Sequence, residues 1–234
     1  MTKASDRPSA TAFDAVIFDA GGVLLLPDVD AGRAAILTLG HESRPEEWHR
    51  AYYAANLVVD AMEVVDWPSI RRAIASELGI PAAQLDAAVP LIEELILSTP
   101  WVAVLQARDV LWSLSEAGYQ LAVVSNAFGT VEAELHGLGI CSVMGGTMPA
   151  VGAVIDSHVV GLEKPDPRIF QLALEALGVA PSRGIYVGDT VKFDVLGAQA
   201  AGLHPVHVDP FDLCSGDHSH VASLAELRAW LIPS

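Results

Sequence analysis

The chain has 234 residues, of which 52% are hydrophobic, and this predicts a folded protein of one domain, or one domain with an insertion, rather than a disordered chain. No apolar run is longer than five residues, as in 101–105, whereas a membrane-spanning helix needs about 20. The formal net charge of −16 repels phosphate groups, so the composition argues against nucleic acid and anionic membranes as partners.

Short apolar segments alternate with longer helical patterns along most of the chain. This alternation predicts an α/β protein in which helices cover both faces of a parallel sheet. The predicted strands are 15–19, 121–125, 154–156, 185–188 and 205–208. The predicted helices that accompany them are 105–117, 130–138, 168–177 and 224–231.

One connection is too long for this scheme. About a hundred residues separate the first two predicted strands, whereas a βα crossover needs only a few dozen. The patterns there are helical over 30–39, 45–58, 68–78 and 82–97. We therefore expect a helical insertion over 28–100, an α/β core formed by 13–27 and 101–234, and a loose, flexible tail over 1–12.

The N-terminus and the cysteines bear on where the protein works. The first twelve residues contain no apolar stretch of the kind found in signal peptides. Cys141 and Cys214 lack C-x-x-C spacing, so we expect free thiols rather than a disulfide, as in a reducing cytoplasm. No feature of the sequence indicates an oligomeric state.

Polar side chains follow several of the predicted strands, where ligands bind in open α/β sheets. These residues, with a lysine that is expected to open a helix, are Asp19, Ser125, Asn126, Lys164, Asp189 and Asp194. A strand-end carboxylate can attack phosphorus, and further carboxylates can hold Mg²⁺. Hydroxyl, amide and ammonium groups can bind the phosphoryl oxygens. The set therefore favours phosphoryl transfer, which depends mainly on positioning and charge neutralisation.

Four segments carry a resemblance to a known family: VIFDAGGVL (16–24), LAVVSN (121–126), GLEKPDPRIF (161–170) and YVGDTVKFD (186–194). In this order they resemble the haloacid dehalogenase-like hydrolase superfamily. The resemblance implies a Rossmann-like core with a helical cap inserted after the first strand, which 28–100 matches. It also implies a small phosphorylated substrate and Mg²⁺ as the cofactor.

The same resemblance implies a role for each of these positions. Asp19 would be the nucleophile, and Lys164 would neutralise the phosphate. Ser125 and Asn126 would hold the phosphate. The implied metal site comprises Asp19, the Gly21 carbonyl, Asp189 as a direct ligand, and Asp194 acting through a water or a hydrogen bond.

Gly21 departs from the family's pattern. Phosphatases of the family usually carry Asp-x-Asp, and the second Asp is the general acid and base, whereas this chain reads Asp19-Ala20-Gly21. General acid–base catalysis is typically worth about 10²–10⁴-fold. The resemblance thus implies slow turnover, unless another acid such as Asp28 substitutes.

Each candidate residue also has a simpler structural interpretation. Asp19 could cap a turn, and Ser125 or Asn126 could cap the helix over 130–138. Lys164 could be a surface lysine, Asp194 could cap the helix after it, and Lys192 is expected to be exposed or to neighbour the carboxylates. Trp48, Tyr52 and Tyr53 could line a substrate pocket, although helical spacing favours a core role.

Four histidines near the C-terminus raise the alternative of a zinc site. They are His204, His207, His218 and His220. Their spacing matches no compact zinc-finger or metalloprotease pattern, so a metal site is not favoured there.

Three functions remain open. The leading one is a Mg²⁺-dependent phosphatase that acts through an aspartyl-phosphate. A dehalogenase would need no metal, but without a cation Asp189 and Asp194 would repel the nucleophile. A degenerate member that binds a phosphorylated ligand or a partner without turnover is the third, and Gly21 is the feature that favours it.

Overall fold

A parallel six-stranded sheet forms the centre of the core in the structure, a computed structural model that describes residues 7–98 and 100–233. Two further short strands, β2 and β3, lie outside this sheet. The eight strands in chain order are β1 Ala15–Phe18, β2 Leu25–Pro27, β3 Trp101–Ala103, β4 Gln120–Ser125, β5 Ala153–Asp156, β6 Gly184–Gly188, β7 His204–Val208 and β8 Ser219–Val221. The large sheet has the order β5-β4-β1-β6-β7-β8, which confirms the predicted α/β class.

The chain divides into two units. One contains the described residues up to Leu25 together with those from Ala103 onward, and the other is Leu26–Val102. The helices of the first, or α/β, unit are α5 Ala107–Glu116, α6 Val131–Gly137, α7 Ser157–Val160, α8 Pro167–Leu177, α9 Leu196–Ala200 and α10 Leu224–Leu231. The helices of the second, or helical, unit are α1 Val29–Leu37, α2 Pro45–Ala61, α3 Trp67–Glu77 and α4 Leu85–Ser98.

Strand β1 lies at the middle of the sheet, and all four of its residues are buried. Its Ile17 packs in a cluster with Val124 of β4 and Tyr186 of β6, beneath Phe170 of α8. A strand covered on both faces is apolar throughout, which is why its sequence, AVIF, does not alternate. This burial fixes the position of Asp19, the next residue.

Helix α8, predicted over 168–177, begins at Pro167, three residues after Lys164. Asp166 caps it by accepting a hydrogen bond from the Arg168 N–H at 3.0 Å, and Pro167 occupies its first turn. Asp at the N-cap followed by Pro is a strong start signal. The prediction that Lys164 opens this helix is therefore wrong, and Lys164 lies in the loop before it.

The three aromatic residues that could line a substrate pocket all lie on α2 of the helical unit. Trp48 and Tyr53 are buried, and the Trp48 indole donates to Ser43 Oγ at 2.9 Å. Trp48 and the half-buried Tyr52 also line a pocket within this unit, together with Ile74 and Ile92.

The predicted loose tail is only partly within the described residues, because residues 1–6 lie outside them. Residues 7–12 contact other parts of the α/β unit. Arg7 bonds to the His220 carbonyl and to Glu226, and the Trp230 indole donates to the Pro8 carbonyl at 3.1 Å. These contacts attach the segment to the end of the α/β unit.

Within the described residues, none of the helices has the length and apolar character that crossing a membrane would require.

Candidate active site

The carboxyl ends of three neighbouring strands meet in the α/β unit. Asp19 follows β1, Ser125 ends β4 on one side, and Asp189 follows β6 on the other. All three side chains are buried. The strand order therefore brings these predicted residues together at one edge of the sheet.

Lys164 lies between two of the carboxylates. Its Nζ is 2.9 Å from Asp19 Oδ1 and 2.7 Å from Asp194 Oδ1, and the lysine is only 3% exposed. It also donates to the Tyr186 hydroxyl at 3.0 Å, which in turn donates to the Val124 carbonyl at 2.9 Å. The surface interpretation of Lys164 is therefore wrong.

Asp194 uses its second oxygen to hold the loop after β6. Its Oδ2 accepts hydrogen bonds from the Thr190 N–H at 2.9 Å, the Thr190 hydroxyl at 2.6 Å and the Asp189 N–H at 3.2 Å. Asp194 lies inside a π-helical turn, Val191–Val195, so it does not cap the helix that follows it. Lys192, in the same turn, is half-buried.

The buried charges shift one another's ionisation. Burial raises the pKa of Asp19, and this effect exceeds the opposing attraction of Lys164. Burial alone would also raise the pKa of Asp194, but Lys164 and Thr190 stabilise its charged form and lower it. Burial alone would lower the pKa of Lys164, but the two carboxylates outweigh it and raise that pKa, so the lysine is a cation at neutral pH.

Three carboxylates form one cluster of oxygen donors. One carboxylate oxygen each from Asp19, Asp189 and Asp194 lie within 4.8 Å of one another. Gly22 leaves room beside them, because a Cβ added to it would overlap the Asp189 carboxylate, and its φ of +71° favours glycine as well. The arrangement suits a hard cation such as Mg²⁺, which binds carboxylate oxygens.

Gly21 lies in the turn that leaves β1, where it forms an isolated bridge with Leu25. It contributes no side chain to the site. Asp28, the suggested substitute acid, caps α1 in the helical unit, where its Oδ1 accepts from the Asp30 N–H at 2.9 Å.

Ser125 and Asn126 have different roles in the structure. The Ser125 hydroxyl lowers the pKa of the Asp19 carboxyl, against the larger effect of burial. The Asn126 side chain accepts from the Lys164 N–H at 2.8 Å and donates to the Lys164 carbonyl at 3.1 Å. The Asn126 amide thus fixes the main chain at Lys164, in the loop before α8. Neither residue caps α6, whose N-cap is Thr130.

Sequence reasoning missed two residues of this network, Tyr186 and Thr190. Tyr186 is an inward-facing strand residue in a buried apolar run, and only its hydroxyl indicates a polar partner. Thr190 directly follows Asp189, and a hydroxyl beside a predicted ligand was the available signal.

Comparison with known proteins adds to this geometry. The profile of the haloacid dehalogenase-like hydrolases matches residues 13–202. "Haloacid dehalogenase-like hydrolase domain-containing protein 3" of Mus musculus is 37% identical over 163 residues, which cover 67% of this chain and 61% of the mouse protein. "Phosphoserine phosphatase" of Thermus thermophilus is 37% identical over 105 residues, covering 44% of this chain and 39% of that protein. The chain thus spans about three fifths or less of these two relatives.

The fold is shared with solved structures too. L-2-haloacid dehalogenase from Xanthobacter autotrophicus superposes with a TM-score of 0.55 at 20% identity, over 92% of this chain and 97% of that one. At this identity the likeness concerns the fold alone. Because the family profile extends over most of the chain and the strand-end residues occupy the positions described above, the protein belongs to the haloacid dehalogenase-like hydrolases.

Proposed function

We propose that the protein is a Mg²⁺-dependent phosphatase of a small phosphorylated metabolite, with Asp19 as the nucleophile. The observation that carries this proposal is the cluster of three buried carboxylates with one lysine at the carboxyl edge of the sheet. With all four groups ionised, their formal charge is −2, so a cation would offset the repulsion between them. The phosphatases among its relatives support the same reaction class.

The residues present fit Mg²⁺. The donors are oxygens only, from Asp19 and Asp189, with the Gly21 carbonyl as a further ligand by resemblance to the family. Asp194 contributes indirectly, because both of its oxygens are engaged with Lys164 and the Thr190 loop. When bound, Mg²⁺ would supply charge stabilisation for the phosphoryl oxygens.

The first step would be attack by an Asp19 oxygen on phosphorus. A new O–P bond forms, the ester O–P bond breaks, and the leaving oxygen takes up a proton from solvent. Lys164 would stabilise the added negative charge, and its bond to Asp194 holds the ammonium beside Asp19. Ser125, whose hydroxyl already favours the charged form of Asp19, would donate to a phosphoryl oxygen.

The second step would return Asp19 to its starting state. Water attacks phosphorus and loses a proton to solvent, the Asp19 O–P bond breaks, and phosphate leaves. The family's acid–base residue would supply the proton in the first step and remove one from water in the second. Because Gly21 has no side chain, we expect alkyl phosphates to react slowly, aryl phosphates to react better, and turnover to follow an initial burst.

The experiment that tests this function is a panel of phosphomonoesters assayed with and without Mg²⁺. We expect activity to be lost with chelator and restored by Mg²⁺, and Asp19→Asn to retain less than a tenth of it. Asp14→Asn is the matched control, since Asp14 pairs with Arg183 before β1 and outside the site.

The other outcomes identify the alternatives. Haloacetate turnover that chelator leaves unchanged would replace the phosphatase by a dehalogenase. Phosphate analogues and Mg²⁺ that raise the Tm with no turnover of any ester would replace it by a binding protein.

A further inference from the structure

A second group of metal-binding side chain types lies in the α/β unit, at β7 and β8. It comprises His207 of β7, His220 of β8, and Cys214 and His218 from the connection between these strands. One ligand atom from each lies within 4.8 Å of the others. The proposed phosphatase reaction uses none of these four side chains.

The fold brings the four residues together. Strands β7 and β8 pair in parallel with His207 opposite His220. The Asp209 carboxylate accepts from the Leu213 N–H at 2.9 Å and the Cys214 N–H at 2.8 Å, which turns the connection back toward the strands. The rings of His218 and His220 then lie 4.4 Å apart, centroid to centroid.

The hydrogen bonding of His207 prepares one of its nitrogens for a metal. Its Nε2 is 3.1 Å from the Asp189 carbonyl oxygen, and a carbonyl only accepts, so Nε2 carries the proton. In a neutral ring, Nδ1 then holds the lone pair, and it points at His218 Nε2, 3.1 Å away. A ligating histidine almost always has such an outer partner on its other nitrogen.

His220 supplies a second, independent observation. Its Nε2 is buried and has no hydrogen-bond partner among the described residues. Buried polar atoms nearly always have a partner, and an unsatisfied one costs about 1–3 kcal/mol. A metal ion within the cluster would accept this nitrogen's lone pair and remove that cost.

We propose that His207, Cys214, His218 and His220 bind one Zn²⁺ ion in a tetrahedral site. Three imidazoles and a thiolate suit zinc, whereas Mg²⁺ prefers oxygen. With Zn–N near 2.0–2.1 Å and Zn–S near 2.3 Å, tetrahedral geometry places two nitrogens about 3.3 Å apart and nitrogen and sulfur about 3.6 Å apart. The observed separations from His218 Nε2 are 3.1 Å to His207 Nδ1 and 3.9 Å to Cys214 Sγ. On binding, the Cys214 thiol releases its proton to solvent.

The proposed site departs from the expectation drawn from histidine spacing. Three of the four C-terminal histidines converge, and the fourth, His204, bonds instead to Ser219 Oγ at 3.0 Å. The fourth proposed ligand is Cys214, which the sequence analysis treated only as a free thiol.

The first test is zinc binding by the whole chain, measured as metal content after equilibration with one equivalent of ZnCl₂ against a weak chelator. We expect one Zn²⁺ per chain, retained by His204→Gln and Asp19→Asn and lost from Cys214→Ser and His220→Gln. His204→Gln is the matched control, because His204 lies on the same strand as His207. Retention of zinc by Asp19→Asn would show that the ion is not bound at the carboxylate cluster. Zinc content unchanged in Cys214→Ser and His220→Gln, or no bound zinc, would overturn the proposal.

The second test needs no variant and so does not depend on how variants fold. Native protein is treated with iodoacetamide at pH 8, with Zn²⁺, with Mg²⁺ or with neither ion, and each cysteine is quantified by mass spectrometry. Cys214 should be alkylated except with Zn²⁺. Cys141 should stay unmodified throughout, because burial raises its pKa to about 12. Equal labelling of Cys214 with and without Zn²⁺ would contradict the site, whatever the phosphatase assays show.

Discussion

Asp194 divides its two carboxylate oxygens between the lysine and the loop that carries Asp189. One oxygen accepts from the Lys164 ammonium. The other accepts from the N–H groups of Asp189 and Thr190 and from the Thr190 hydroxyl. A single buried residue therefore positions both a cationic group and a proposed ligand. We infer that Asp194 acts mainly by positioning these groups.

The contribution of one of these hydrogen bonds to stability can be measured by substituting Thr190. Thr190→Val keeps the shape of the side chain but leaves the buried Asp194 oxygen with one donor fewer. We expect a loss of about 1–3 kcal/mol in the free energy of unfolding, measured with urea. Thr130→Val is the control, because its hydroxyl bonds to Glu134 on the surface, where water replaces the lost donor. Equal effects of the two substitutions would contradict the prediction.

Two adjacent glycines should respond in opposite directions. Gly21→Asp installs the family's acid and should raise alkyl-phosphate turnover by up to about 10²–10⁴-fold. Gly22→Ala should lower both activity and Tm, because its Cβ would overlap Asp189 and its φ is +71°. Steady-state rates on one alkyl and one aryl phosphate test both variants. Fast alkyl turnover by the native protein, unchanged in Gly21→Asp, would mean that another residue already supplies the proton.

The residue types at the strand ends were predictable because carboxyl ends of parallel strands meet at one edge. Asp19, Ser125 and Asp189 follow from that rule alone. The side-chain role of Asn126 was not predictable, since its partner is the main chain of a residue 38 positions away. Such contacts depend on loop conformation, which no periodicity encodes.

Strand β5 ends in a carboxylate that joins two helices. Asp156 accepts from the Gly129 N–H at 2.9 Å and the His158 N–H at 3.0 Å, and it is 5% exposed. It thus holds the start of α7 and the loop before α6 together. The strand itself was predicted, but this link between elements was not.

Removing that link should destabilise the α/β unit. We expect Asp156→Ala to lower the free energy of unfolding by about 1–3 kcal/mol, because buried N–H groups lose their acceptor. Asp166→Ala, which removes the exposed cap of α8, should cost less, since water reaches its N–H. Urea denaturation of both variants gives the comparison, and a larger loss for Asp166→Ala would contradict it.

Element prediction failed where pairing rather than local sequence makes the strand. β8 has only three residues, and its existence depends on β7 beside it. Without β8, the sequence gives no reason to place His220 next to His207. The residues proposed to bind zinc are therefore brought together only by the fold.

The whole molecule carries a strong excess of negative charge, −16 in formal terms. The residues over 28–100 alone contain twelve acids and five arginines. Repulsion among these charges opposes the folded state, and it acts over about a Debye length.

Salt should therefore stabilise the protein. Raising NaCl from about 0.01 M to about 1 M shortens the Debye length from about 30 Å to about 3 Å, so we expect the Tm to rise. A parallel series in KCl controls for specific binding of sodium. A falling Tm in both salts would mean that exposed ion pairs such as Arg183–Asp14 outweigh the net repulsion.

The central place of β1 has a consequence during synthesis on the ribosome. Ala15 pairs with Gln120 on one side and with Gly184 on the other, so this apolar strand is made long before either neighbour. At 5–20 residues per second, the nascent strand waits about 5–20 s for its first partner. Helices α1–α4 emerge within that interval and have local contacts, which form early. Strand β1 is thus translated early but buried late, and until β4 and β6 are made its apolar residues stay exposed to other chains.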